Sequence, residues 1–319
     1  MSDKGNNCGV EIEEYCSQPH GVKRKLINLK PMSIITKILF LFVFPIGLLA
    51  QKSIDPFQVY GPYGAPIFES FSQGLSNASN CYRLKSHNED LGKVLKKIKR
   101  LSKLYVIDLK NNQIDSIPEE ISTFQNLMYL KSTENKLKKL PETFGNCKTI
   151  KSLILHHINL DSLPDGFKKL GSLAELEIQI NYADTFDVKS ELAGLYNLKT
   201  LMLYKTPLKC FPVGLDQNTK LTKILMVNCG LSKVDSSFAK MTNPRTLILD
   251  NNNFSEFPPE ILDLKSLKEL SLRNNKLTKL PEKLSFIRGL EILDLTGNNI
   301  PISEVDVLRV LLPYCKIII

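Results

Sequence analysis

The stretch that decides the fold is Leu267-Lys-Glu-Leu-Ser-Leu-Arg-Asn-Asn-Lys-Leu-Thr-Lys-Leu-Pro281, which follows the pattern LxxLxLxxNxLxxLP. Leu104–Pro118 follows the same pattern, with Ile in place of Leu at three positions. The fourth residue of the pattern, called the anchor below, recurs every 23 residues, except for one step of 25 residues from Leu176 to Leu201. A constant period of this length predicts a solenoid of stacked repeats. The anchors are Ile107, Leu130, Leu153, Leu176, Leu201, Ile224, Leu247, Leu270 and Leu293.

One further step upstream lands on Leu84, in a degenerate first turn, so we expect about ten turns in all. Each turn should place a short strand on an inner wall, with the leucines of its LxL segment pointing into the core. Because no turn can bury its apolar face alone, the turns must stack. The second half of a turn carries apolar residues three apart, such as Ile121, Phe124 and Leu127, which suits a short helix or 3₁₀ segment on an outer wall.

A polar position follows each strand, five residues after the anchor. Asn at this position should satisfy backbone groups of neighbouring turns with its side-chain amide. Glu89, Ile158, Thr206 and Cys229 replace Asn in four turns, and the amide ladder should be weakest at Ile158, which cannot form a hydrogen bond. The Asn residues of the predicted ladder are Asn112, Asn135, Asn181, Asn252, Asn275 and Asn298.

With these motifs the chain resembles the leucine-rich repeat family over residues 81–319. The resemblance implies an α/β solenoid, or horseshoe, with a parallel β-sheet as its inner wall and short helical or 3₁₀ segments on its outer wall. The 23-residue turns ending in Leu-Pro are similar to those of Ras-suppressor and plant intracellular Ras-group proteins. They are also similar to bacterial secreted repeat proteins, and the N-terminal segment favours this type.

That N-terminal segment is Ile38–Ala50, which has 13 residues and no polar side chain. A membrane-spanning helix needs about 20 apolar residues. Five Lys and Arg residues between positions 23 and 37 precede the segment, so we predict a signal peptide over residues 32–50, cut before Gln51. The alternatives are an uncleaved anchor and a buried core segment. Residues 1–31 are either an upstream extension before a true start at Met32 or a polar leader.

The segments on either side of the repeat array should cover the apolar ends of its core. We predict a linker over residues 51–66 and an N-terminal capping helix over residues 67–80, where Phe68, Phe71, Leu75 and Ala78 follow helical spacing. The repeat domain then spans residues 81–319 and includes a C-terminal cap. This cap should consist of a last helix over Val307–Leu312 and a last strand over Cys315–Ile319.

Composition and motifs argue against catalysis and cofactor binding. The seven cysteines form no CxxC pair, and the chain has no nucleophile elbow, phosphate-binding loop or HExxH motif. We therefore predict a protein that is not an enzyme and that uses no cofactor, metal or small-molecule substrate. Of the net charge of +9, residues 81–103 carry +6, because this segment contains eight Lys and Arg residues and only two acidic residues. This block should be a solvated outer-wall face, so we predict no nucleic-acid partner.

The inner wall is the remaining candidate site. On strands, alternate residues point away from the core, and in the middle turns those residues are mostly apolar. An exposed apolar patch with a polar rim is typical of a protein contact, although exposed strand positions also favour Ile and Val for reasons of conformation alone. The predicted partner-binding residues are Ile154, His156, Met202, Tyr204, Leu225, Val227 and Ile248.

Together these observations predict a recognition module that is secreted or presented at the cell surface. It would bind a protein or peptide through its concave inner wall, as the resemblance to protein-binding scaffolds implies. Membrane contact would come only through the signal segment before cleavage. The alternative is a cytosolic signalling scaffold of the Ras-suppressor type, with a cytoplasmic location.

Overall fold

The computed structural model describes residues 55–181 and 185–319. The predicted leader and signal peptide therefore lie outside the described residues. Within the described ranges, twelve strands form one parallel sheet whose spatial order follows the order of the chain. The strands are β1 (Ile67–Phe68), β2 (Arg83–His87), β3 (Val106–Lys110), β4 (Tyr129–Thr133), β5 (Ser152–Ile158), β6 (Glu175–Ile180), β7 (Thr200–Tyr204), β8 (Lys223–Val227), β9 (Thr246–Ile248), β10 (Glu269–Ser271), β11 (Ile292–Asp294) and β12 (Lys316–Ile318).

The strand register confirms the repeat period. Leu84 pairs with Ile107, and each later anchor pairs with the next one along the chain as far as Leu293. Phe68 extends this column at the N-terminal end, and Ile317 extends it at the C-terminal end. All the anchors are buried in one continuous core that runs along the array. The fold is an α/β solenoid with an open parallel sheet, as the sequence predicted.

The outer wall consists mainly of 3₁₀ segments of three to seven residues. A typical segment is Glu119–Thr123, which follows the extended Pro118 and buries Ile121. A 3₁₀ helix rises about 2 Å per residue against about 1.5 Å for an α-helix, so it spans the outer wall with fewer residues. A turn of 23 residues has few to spare for this wall. At one point the wall also needs a residue without a side chain, since a Cβ on Gly145 would lie 2.0 Å from the Gly166 carbonyl oxygen.

The amide ladder is present where Asn follows the strand, apart from one turn. For example, the Asn275 side-chain amide donates to the carbonyl oxygens of Leu249 and Leu272, each at 3.0 Å. Its Oδ1 accepts the Phe254 N–H at 3.2 Å. One side chain thus joins two consecutive turns, and Asn112, Asn135, Asn252 and Asn298 form equivalent hydrogen bonds.

The prediction for Asn181 was wrong. A register irregularity between β5 and β6 pairs Ile158 with Ile180, so that Ile180 occupies the buried position in its turn. Asn181 is exposed, and its side-chain amide lies 3.0 Å from His157 Nδ1. Two consecutive turns therefore have an apolar residue in place of the amide. The interruption predicted at Ile158 is one turn longer than the sequence indicated.

A left-handed residue comes immediately before the ladder position in nine turns. Examples are Asn111 at φ 53° and Asn274 at φ 49°, and Gly297 takes the same place at φ 76°. This conformation turns the chain out of the strand and aims the next side chain into the core. Asn tolerates it better than most residues because its short side chain can hydrogen-bond locally. In the Asn-Asn pairs of the repeat motif, the first Asn therefore adopts the left-handed conformation and the second supplies the buried hydrogen-bonding group.

The caps differ from the predicted ones in extent. The N-terminal helix, α2, spans only Phe71–Ser76 and begins after Ser70, whose side chain accepts the Gln73 N–H. Phe68 belongs to β1 instead, so the predicted helix over residues 67–80 was too long. Glu89, in the first turn, accepts the Phe71 N–H at 3.0 Å, which explains why this ladder position is acidic: it faces a helix N-terminus and no earlier turn.

At the C-terminal end, helix α3 spans Ile302–Leu311, which is longer than the predicted Val307–Leu312. Its Val305 and Leu308 are buried, and the chain then forms β12 beside β11. A short helix, α1, spans Pro56–Val59 and is described with the candidate site below.

We predict that Asn275→Ala lowers the free energy of unfolding by about 1–3 kcal/mol, because it leaves the buried Phe254 N–H without a partner. It also removes one of the two side-chain amide hydrogen bonds to each of the Leu249 and Leu272 carbonyl oxygens, which keep those from Asn252 and Asn298. The measurement is the urea midpoint with its slope. Asn253→Ala is the matched control, since Asn253 is exposed, and it should shift stability by about 0.5 kcal/mol or less. Equal losses in both variants would contradict the ladder. Asn274→Ala is a less suitable control, since it forces Ala into a left-handed conformation.

Candidate functional site

The sheet has one face in the core and one face outside it. The open face, as we call it, carries the residues immediately before and after each anchor and the residue three positions after it. This assignment follows from the alternation of side chains along a strand. The anchors themselves are committed to the core. The composition of the open face is therefore free to serve function.

The structure places the seven predicted partner-binding residues on four strands, β5, β7, β8 and β9, with β6 between the first two. One row of paired positions runs from Ile154 through Glu177 to Met202, and then to Leu225 and Ile248. A second row pairs His156, Gln179, Tyr204 and Val227 in that order. Glu177 and Gln179 on β6 thus separate the two β5 residues from the other five.

The prediction of a continuous exposed apolar patch was wrong for three of the seven residues. Met202, Leu225 and Ile248 are only 8%, 0% and 1% exposed. They are paired across three strands spaced about 4.8 Å apart, so each covers the flank of the next. The other four predicted residues stay half-buried and so within reach of a partner. They are Ile154, His156, Tyr204 and Val227.

Polar groups surround Tyr204 at the centre of the face. The Tyr204 hydroxyl donates to Met202 Sδ at 3.4 Å, and burial, with the nearby Glu177 carboxylate, raises the pKa of Tyr204 well above its ordinary value. His156 Nε2 lies 3.1 Å from Glu177 Oε2. Glu175 accepts the Ser152 hydroxyl at 2.8 Å, and its own burial raises the pKa of Glu175. The centre therefore combines aromatic and aliphatic surface with carboxylates of restricted hydration.

The N-terminal half of the open face is covered by the chain itself. Residues 55–66, called the strap below, were predicted to be a linker, but they pack on the sheet. Phe57 of α1 is 5% exposed and forms a small apolar cluster with Val106 and Tyr129. Tyr60, Tyr105 and Ile154 pack against the same cluster.

Arg83 on β2 holds the strap by its main chain. Its guanidinium group donates to the carbonyl oxygens of Tyr60 at 2.9 Å, Ala65 at 2.7 Å and Pro62 at 3.0 Å. Arg83 is buried, so these three hydrogen bonds take the place of hydration. The segment is thus ordered by specific contacts, and the interpretation of residues 55–66 as a linker was wrong.

Lys85 on β2 and Asp294 on β11, polar residues immediately after their anchors near the two ends of the open face, make contacts within the protein. Lys85 Nζ lies 4.8 Å above the centre of the Phe57 ring, as a cation–π contact to the strap. Asp294 is buried, accepts the Thr296 N–H at 3.0 Å and lies 3.7 Å from Arg273 Nε. Both side chains are therefore committed to contacts within the protein.

The basic block near the N-terminus lies where it was predicted. Lys96, Lys97, Lys99 and Arg100 are exposed on the 3₁₀ segment Leu95–Leu101 of the outer wall. Their solvated positions fit the interpretation of this block as an exposed charged face.

The cysteines of the described ranges are all free thiols. Burial raises the pKa of Cys147 and Cys229 to about 12, so these thiols are poor nucleophiles. Across residues 55–181 and 185–319, no group of three His, Cys, Asp or Glu side chains could hold a metal ion. Within the same part of the chain, no helix is both long and apolar enough to cross a membrane.

Sequence profiles of known families match two parts of the chain. A profile described as a leucine-rich repeat region matches residues 78–236, and one described as leucine rich repeat matches residues 242–300. The chain belongs to the leucine-rich repeat family. Together the two matches cover about two thirds of the sequence. A search of the curated proteins finds no match.

Solved structures share the fold at low sequence identity. An internalin, inlF, from Listeria monocytogenes is 18% identical, with a TM-score of 0.61, over 78% of this chain and 76% of that one. The ectodomain of the Arabidopsis receptor kinase HAESA, in complex with an IDA peptide hormone ligand, is 24% identical, with a TM-score of 0.53. That match covers 66% of this chain and 38% of the ectodomain. At these identities, the similarities show only that this leucine-rich repeat protein shares their fold.

Several residues of the site escaped the analysis of the sequence. The strap contacts of Phe57 and Tyr60 lie outside the repeat, although the aromatic residues in the predicted linker were an available signal. Asp250, which aligns with Tyr204 and Val227, is buried and accepts hydrogen bonds from the Ser271 hydroxyl and the Arg273 N–H. No sequence signal separates this aspartate from the exposed ones.

Asp250 should make stability depend on pH. Burial, with a contribution from Asp294, raises its pKa to about 6, although hydrogen bonds from Ser271 and the Arg273 N–H, and the Arg273 charge, offset part of the effect. Since the pKa in the unfolded chain is near 3.8, the folded state binds the proton more tightly. The stability contribution of this group is therefore full below pH 4 and is lost as the pH rises through about 6.

We predict that, as the pH rises from 4.5 to 7.5, Asp250→Asn gains up to roughly 2 kcal/mol of stability relative to the unmodified protein. Urea unfolding at both pH values measures the difference. Asp263→Asn, which removes an exposed carboxylate, should gain nothing between the two conditions. An Asp250→Asn difference that is the same at both pH values would contradict the assignment.

Proposed function

We propose that this leucine-rich repeat protein is an exported recognition module that binds a protein or peptide through the centre of its open face. The observation that carries the proposal is the surface formed by Tyr204, Val227, His156 and Ile154. These side chains are half-buried on β5, β7 and β8 and serve no part of the leucine core. They lie beside carboxylates, such as that of Glu175, whose hydration is limited by burial. Aromatic side chains in such settings are typical anchors of protein interfaces.

The surface suits a macromolecular ligand better than a small molecule. It is a shallow row of side chains across several strands, whereas small-molecule sites are concave and enclose most of the ligand. The HAESA ectodomain, which has the same fold, is bound to a peptide hormone. That likeness supports a peptide or protein ligand for this chain as well. The proposed partner-binding residues are inferred from the side chains of this chain and not from that complex.

Export is proposed from the N-terminal sequence. The 13 apolar residues Ile38–Ala50 follow a basic region and end in a small residue, as signal peptides do. The cytosolic signalling scaffold of the Ras-suppressor type is the alternative, and it requires another role for this segment.

We expect the mature chain to begin near Gln51. The measurement is N-terminal sequencing of the protein from fractionated cells, with a cytosolic protein of known start as the control. Recovery of a cytosolic chain that begins at Met1 or Met32 would contradict export and favour the scaffold.

We predict that Tyr204→Ala weakens binding to a native partner by more than about 2 kcal/mol, as the loss of an aromatic anchor does. The partner would first be isolated from the native surface fraction, and calorimetry would then measure the affinity. Tyr196→Ala is the matched control, since Tyr196 is exposed away from the open face, and it should change little.

A second pair of variants tests the same surface by introducing a negative charge. Val227→Asp should weaken binding, while Val213→Asp, at an exposed outer position, should leave it unchanged. Circular dichroism would verify that all four variants fold. If Tyr196→Ala and Val213→Asp abolish binding while the open-face variants retain it, the proposed surface is wrong.

A further inference from the structure

The strap makes contacts of the kind that a bound peptide makes. Phe57 and Tyr60 lie three residues apart across the single turn of α1, so both side chains project to the same side. Phe57 forms a cluster with Val106 and Tyr129, and Tyr60, Tyr105 and Ile154 each pack against that cluster. A pair of aromatic anchors therefore enters the open face above β3, β4 and β5.

Cations of the repeat turns cover the same two rings. Lys85 Nζ lies 4.8 Å from the centre of the Phe57 ring, and Lys151 Nζ lies 5.8 Å from the centre of the Tyr60 ring. Such contacts favour aromatic side chains over aliphatic ones of similar size. The open face thus discriminates between side chains at these two positions.

Arg83 adds recognition of the main chain. It directs its guanidinium group at three strap carbonyl oxygens and forms no ion pair within the described residues. A buried guanidinium held by carbonyl groups alone binds any chain of the right conformation, whatever its side chains. Main-chain hydrogen bonds for affinity and side-chain pockets for specificity are the combination found in peptide-binding sites.

We propose that the open face of β2 to β5 is a peptide-binding site and that residues 55–66 are its built-in occupant. The ligand class is a peptide with two aromatic residues three positions apart, followed by a turn that presents its carbonyl groups to Arg83. A partner with this pattern binds after it displaces the strap. The site shares Ile154 with the surface proposed above, but the Tyr204 anchor lies two strands further along the sheet, on β7. Failure of either proposal therefore leaves the other standing.

Tethering explains how the strap would restrain such a ligand. A segment joined to its own site by a short linker has an effective concentration on the order of 1 mM. For a peptide with an intrinsic dissociation constant of about 10 µM, the intact strap would therefore weaken binding about 100-fold. Substitutions that loosen the strap should restore most of that affinity.

The test uses the full chain and a fluorescent synthetic peptide of residues 55–66, with anisotropy as the readout. We expect the double variant Phe57→Ser/Tyr60→Ser to bind the peptide at least tenfold more tightly than the unmodified chain does. Tyr63→Ser is the matched control within the strap, since Tyr63 is fully exposed, and it should bind the peptide as weakly as the unmodified chain.

Two further arms test specificity. A peptide in which both aromatic residues are replaced by Ser should not bind the double variant. Adding Arg83→Gln to that variant should weaken its binding of the original peptide at least tenfold. If the double variant proves unfolded by circular dichroism, Phe57→Leu takes its place and should still bind more tightly than the unmodified chain.

A strap with only a structural role gives a different result. Its loosened variants would lose stability but would bind no peptide, and that outcome overturns the proposal. Equal binding of the original peptide and the aromatic-free peptide overturns it too, because the site would then lack the stated specificity.

Discussion

Stacking of inward-pointing Leu and Ile side chains from consecutive turns is the interaction on which the rest of this structure depends. Burial of each such side chain contributes about 1.5–3 kcal/mol, whereas a typical internal hydrogen bond contributes about 0.5–1.5 kcal/mol. The column of anchors therefore dominates, and the array tolerates the loss of the amide at Ile158 and Ile180. Stacking also commits one face of the sheet to the core, which leaves the opposite face for recognition.

The polar main chain sets the second constraint. Each turn must leave the strand sharply, and a left-handed residue such as Asn111 or Asn274 makes that exit. The buried amide that follows then satisfies carbonyl and N–H groups that no strand partner reaches. The two strands in which Ile takes the place of this amide, β5 and β6, carry His156 and Glu177 on the open face. The interruption in the ladder thus coincides with the polar centre of the proposed site.

The repeat made the fold predictable, because every anchor is recognised by its neighbours at a fixed spacing. The same argument failed at Asn181, where spacing alone cannot reveal a register irregularity in the strand. It also failed for Leu225 and Ile248, since alternation predicts the direction of a side chain but not what covers it. The strap was missed for a different reason: Phe57 meets Val106 and Tyr129 across long stretches of chain, and no period relates these positions.

The central claim is that recognition belongs to the open face, and side-chain footprinting with hydroxyl radicals tests it most directly. The mature protein would be labelled alone and with its captured partner, and the extent of oxidation would be read at each tyrosine by mass spectrometry. The account predicts that the partner lowers labelling of Tyr204, while the exposed Tyr196 and Tyr314, which lie away from the open face, keep theirs. Unchanged labelling of Tyr204 with protection of Tyr196 or Tyr314 would contradict the account.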